Sequence, residues 1–145
     1  MDESVRALTF VGFWIWLIVL AVFIWSFVHP HDYFTWFLEV VPALLAAPML
    51  FFTRRRFHFT SLVYFLIALH MMILFVGGHY TYAEVPLFNW IRDHFHLMRN
   101  HYDRLGHFFQ GFVPALIARE LLIRTSPLRS GKWLEGRFHV GRKFT

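Results

Sequence analysis

An aspartate and a histidine four positions apart, Asp103 and His107, share one face of any helix that holds them both and come within hydrogen-bonding reach. A carboxylate beside an imidazole favours the protonated ring and orients its tautomer, so the pair is a candidate acid or base. That spacing is common, and its weight depends on what lies at the same depth. Glu39 and His70 each fall inside an apolar run, about 10 Å from one end of it at 1.5 Å per residue. The polar stretch between the last two apolar runs adds His79, Tyr82, Glu84, Arg99, Asn100, His101 and Arg104. Ionisable groups inside apolar runs are expensive and mark sites by default. Asp103, His107 and Glu84 are therefore the candidate catalytic groups. Arg99, Arg104, Asn100 and Tyr82 are candidate substrate contacts, the arginines as anion binders. His79, His101, Glu39 and His70 are candidate ligands for a divalent metal, although no particular cofactor follows from these residue types.

The solvent for such a site is lipid. Of 145 residues, 57% are hydrophobic and only 16% charged, against about 25% charged in an ordinary soluble domain. Nineteen Phe and six Trp suit acyl chains and the headgroup boundary, and membrane lipids are the expected partners. The net charge of +5 does not imply nucleic acid, because the Lys and Arg residues sit beside apolar runs, where membrane topology accounts for them. The chain has no Cys, which excludes disulfides and Cys-ligated metals, and it carries no phosphate-binding glycine loop, nucleophile elbow or HExxH. Nothing sets the oligomeric state.

Four apolar runs predict transmembrane helices at about residues 9–28, 34–52, 59–76 and 107–123. The fold class expected is an all-α integral membrane protein, one domain over residues 1–133, followed by a basic segment at 134–145. Pro42 and Pro48 should kink the second span, and Gly77-Gly78 should end the third. Eleven of the fourteen Lys and Arg residues flank the spans on one side, which puts both termini in the cytoplasm and the His79 region outside.

After Pro86, apolar residues at Phe88, Ile91, Phe95, Met98, Tyr102, Leu105, Phe109 and Phe112 alternate by three and four. Arg92, His96, Arg99, Asp103, His107 and Gln110 form a second, polar stripe at the same spacing. The two stripes predict one amphipathic connector helix running into the fourth span. Tyr80 and Tyr82 also read as interfacial anchors, and Glu120 between Arg119 and Arg124 reads as a surface ion pair of little energetic weight. Three functions are open for the polar cluster: acid–base or metal-dependent chemistry on a lipid-linked substrate, transport or proton relay, and a non-enzymatic role in which the groups only tie helices together.

HYTYAEVP at residues 79–86 and NHYDRLGHF at 100–108 resemble the YjdF-like family of bacterial inner-membrane proteins, as do RRRFHFTSLVY at 54–64 and ARELLIRTSPLRSGKW at 118–133. The Asp-Arg-x-x-His-Phe core at Asp103–Phe108 is also similar to the Asp-Lys-x-x-His-Phe motif of VanZ-like membrane proteins, which implies that Asp103 and His107 act together. The resemblance implies a location in the bacterial inner membrane and assigns no reaction. It further implies that members continue past the equivalent of Trp133 into more apolar helices. The short basic stretch at 134–145 is therefore expected to mark a truncated or frame-shifted member, the alternative being a true cytoplasmic tail.

Overall fold

A backbone in lipid must satisfy its polar groups internally, so long apolar runs become helices. The computed structural model describes residues 3–53 and 56–125, with side chains from residue 10 onward. Arg54, Arg55, the segment at 134–145 and the charges it adds to the orientation count lie outside the described residues. Among the described residues are five α-helices and no strand: α1 Glu3–Phe27, α2 Tyr33–Thr53, α3 Ser61–Tyr80, α4 Pro86–His94 and α5 Tyr102–Thr125, with a 3₁₀ turn at Tyr82–Glu84. Three of them, α1, α2 and α3, are long and apolar enough to cross a membrane.

Half of α3 is buried, against 11% of the apolar stretch of α1 and 17% of α2, so α3 is the axis on which the others pack. Its buried face carries Val63, Ile67, Ala68, Met71, Leu74 and Phe75, meeting Val19 of α1, Val40 and Ala43 of α2 and Val113 of α5. Lipid provides little hydrophobic drive between helices, so close approach and polar contacts must hold them. Gly78 illustrates the close approach: a Cβ there would sit 3.2 Å from both Trp36 and Val40 of α2. The Gly77-Gly78 pair consequently does not end the third span as expected. It lies inside α3, which stops at Thr81, a residue at φ 53° whose N–H returns to the Gly77 carbonyl. α2 is a single helix with Pro42 and Pro48 inside it.

The expected single connector helix is two helices. α4 starts at Pro86, where the missing N–H costs nothing. It ends with His96 at φ 52° and the Leu97 N–H on the Arg92 carbonyl, the six-to-one bond of a Schellman ending. α5 restarts at Tyr102, whose N–H is held by the Asn100 side chain at 2.9 Å. The polar stripe is thereby cut between His96 and Asp103.

By composition α5 is too polar to count among the apolar spans, since it holds Asp103, Arg104, Arg119, Glu120 and Arg124. Its contacts nevertheless lay it antiparallel along α3. Tyr102 donates to the Ile73 carbonyl at 2.9 Å near one end, and Glu120 accepts from Thr60 at the other. Twenty-four residues at 1.5 Å reach about 36 Å, so α5 is at least as long as the helix it lies along.

α2 is opened by Asp32, whose carboxylate accepts the Thr35 N–H at 2.7 Å. This hydrogen bond holds the Asp32 carboxyl below its ordinary value of 3.8. A depressed carboxylate contributes stability that is complete above the unfolded value and is lost as pH falls through the folded one. The wild type should therefore melt higher than Asp32→Asn above about pH 4, and the gap should close in more acid solution. Thermal melts of the two proteins in detergent across pH 2.5 to 6 check this; a gap that does not change with pH would sink it.

Candidate functional site

The site is built around one aromatic ring. Tyr82 leaves the 3₁₀ turn and inserts between α3 and α5, where two glycines make room. A Cβ on Gly77 would come within 2.6 Å of the ring, and one on Gly106 closer still. The ring also meets Tyr102, with centroids 5.6 Å apart. Burial first, and the nearby Glu39 carboxylate second, push the Tyr82 phenol well above its ordinary value, so it stays a neutral O–H donor.

Tyr82 is also one of several described residues with a buried polar atom that lacks a partner. Four buried side-chain atoms have no hydrogen bond: Glu39 Oε2 from α2, His70 Nε2 from α3, Tyr82 Oη from the turn and His101 Nδ1 before α5. The His70 ring lies over Phe109 of α5, 6.4 Å between centroids. Leaving such a group unmade costs about 1–3 kcal/mol, and native proteins keep few of them.

The other expected site residues are placed differently. Asp103 does not pair with His107. Its carboxylate lies in the first turn of α5, where free N–H groups favour an anion, and it takes the Arg104 N–H at 2.7 Å and Arg99 at 3.6 Å. His107 is exposed, with Nδ1 3.3 Å from Gln110 Oε1. Arg104 and Glu84 are exposed as well, and the Glu84 carbonyl accepts from Asn89.

Asn100 is not open to a substrate. Only 7% exposed, it spends its amide on the Val85 carbonyl and Asn89 Oδ1 and its oxygen on the Tyr102 N–H, tying α4 to α5. His79 has a comparable role, with Nδ1 3.2 Å from the Ser26 carbonyl, its ring against Trp25 and its own carbonyl accepting from His31. The Ser26 hydroxyl in turn accepts from the Trp36 indole, so one serine links α1, α2 and α3. The proposed metal set of His79, His101, Glu39 and His70 is not gathered; among the described residues no three His, Asp or Glu side chains stand where they could hold one ion.

Two features escaped the sequence. Gly77 and Gly106 are a cradle for Tyr82, and the available signal was glycine inside apolar helices, which marks close packing in membranes. Glu120, expected at the surface, is 8% exposed and caps α3, accepting the Thr60 N–H at 2.8 Å and its hydroxyl at 3.0 Å beside Arg124 at 2.6 Å.

Residues 11–137, which include every element of this site, match the model of the family described as Predicted membrane protein (DUF2238). The chain belongs to this family. It is similar to the inner membrane protein YjdF of Escherichia coli (strain K12), 47% identical over 116 residues that cover 80% of this chain and 56% of that protein. The chain thus spans little more than half the length of that relative. No solved structure matches it. Membership and three apolar helices make this a multi-pass membrane protein, and the relative places it in the bacterial inner membrane.

Proposed function

We propose that this member of the family binds the polar end of a lipid-linked substrate among α2, α3 and α5 and exchanges a proton with it. Glu39 is the proton-exchanging group, and the neutral Tyr82 hydroxyl donates a hydrogen bond to a substrate oxygen. His70 and His101 supply further polar contacts. The observation that carries this reading is the set of four buried atoms without partners, contributed by α2, α3, the turn and the residue before α5. A purely structural cluster would be expected to satisfy itself, as Ser26, His79 and Asn100 do. Acid–base chemistry is favoured over metal chemistry because the donors do not converge in threes. With both termini cytoplasmic, as the basic flanks suggest, the site faces outward.

The test compares total membrane lipids, by mass spectrometry, in cells that lack the protein, carry it, or carry Glu39→Gln. One lipid-linked species should accumulate in the first and third and fall in the second. Glu39→Gln purified in mild detergent should retain that species, since binding survives where proton exchange does not. Identical lipid profiles in all three cell lines would overturn the enzymatic reading.

A further inference from the structure

At the opposite end of the bundle lies a cleft of about 710 Å³, within the ~300–1,000 Å³ range of small-molecule sites. Its walls are apolar and come from three helices, with Gly12 and Ile15 of α1, Ala47 and Leu50 of α2, and the first turns of α3. Its polar rim is His58, Ser61 and Tyr64. Two residues before His58 stands the exposed Arg56, the last of three consecutive arginines in the sequence. Arg124 reaches the same rim, donating to the His58 carbonyl at 2.5 Å.

We infer that this cleft holds an anionic phospholipid, with an acyl chain between α1, α2 and α3 and the phosphate at the Arg56 and His58 rim. Three facts fit one occupant. The cleft belongs to a chain that sits in lipid, its walls match an acyl chain, and an exposed cation, Arg56, stands two residues from its His58 rim. Basic residues at the boundary attract acidic headgroups, and a planar guanidinium suits a phosphate. The site is separate from the Glu39 and Tyr82 cluster and does not depend on its function.

Gly12 supplies the sharpest test, because it lines the cleft and a Cβ there meets nothing within 4 Å, so a larger side chain starts in open space. The purified protein in mild detergent is given dioleoyl phosphatidylglycerol or dioleoyl phosphatidylcholine, and retained lipid is counted by native mass spectrometry. The wild type should retain phosphatidylglycerol in preference to phosphatidylcholine. Gly12→Leu and Ala47→Leu, from opposite walls, should lose retention of both lipids, whereas Arg56→Gln should keep retention and lose the preference. Circular dichroism reports whether each variant is folded. In the unaltered protein, phosphatidylglycerol with a photoreactive acyl chain should crosslink to peptides of both α1 and α2, with competition by unlabelled phosphatidylglycerol but not by phosphatidylcholine. Equal retention of the two lipids by the wild type, undiminished retention in the folded leucine variants, or crosslinks indifferent to the competitor would each overturn the inference.

Discussion

Gly106→Ala should destabilise this protein by about 1–3 kcal/mol, the usual cost of forcing an extra carbon into a packed interior. The added methyl group lands on the Tyr82 ring, which cannot retreat because Gly77 of α3 lies against its other side. An aromatic ring has no flexible end to bend away, so either the ring leaves its slot or α3 and α5 separate. Gly77→Ala should behave alike. The effect belongs to the pair, and a double-mutant cycle isolates it: Gly106→Ala should cost little in a Tyr82→Ala background. Reversible unfolding in mixed detergent measures all four proteins; equal losses with and without Tyr82 would refute the wedge. The same substitution should weaken retention of the substrate found for Glu39→Gln, since it moves the Tyr82 hydroxyl that would meet it.

Glu120→Ala should be the more damaging change, with an expected loss of about 3 kcal/mol, the low end for removing one partner of a buried pair because Arg124 is itself 39% exposed. The carboxylate serves three donors: the Thr60 N–H, the Thr60 hydroxyl and the Arg124 guanidinium. Thr60 is also the cap of α3, its hydroxyl accepting from the Val63 N–H, so losing Glu120 loosens the start of the central helix. Glu120→Gln keeps one acceptor and should cost less. Replacing Asp93, 68% exposed in its pair with Arg92, should change stability little, as surface pairs usually do. Unfolding curves of the three variants order the effects, and Glu120→Ala as mild as Asp93→Ala would show that the cap carries no weight.

These two sites mark a difference between the ends of the bundle. At the Glu120 end, one buried carboxylate is matched donor by donor within the chain. At the Glu39 end, a second carboxylate, a phenol and two imidazoles keep buried atoms open. A fold able to satisfy the first set has no general difficulty with polar groups, and this contrast is what supports the proposed ligand for the open set.

The sequence alone determined the environment and the existence of the long helices. Twenty-residue apolar runs are long enough for only one kind of span, and the flanking charges and motifs carried the chain to a membrane family. It also singled out Glu39 and His70, because ionisable residues at apolar depth stand out without coordinates, and named Tyr82 and His101 among several candidates of the polar stretch. Only the tertiary structure decided their use. Asp103 and His107 have the spacing of a pair, but the arginine four residues before Asp103 takes its carboxylate, and spacing cannot rank two partners on one face. Asn100 and His79 have the chemistry of site residues, yet the chain turns so that their own neighbours occupy them. Glu120 looked like a surface charge because Thr60, its partner, lies sixty residues earlier. Periodicity reads one helix at a time, whereas partner choice and burial arise when α5 lies down along α3, and that contact is written in no single stretch of sequence.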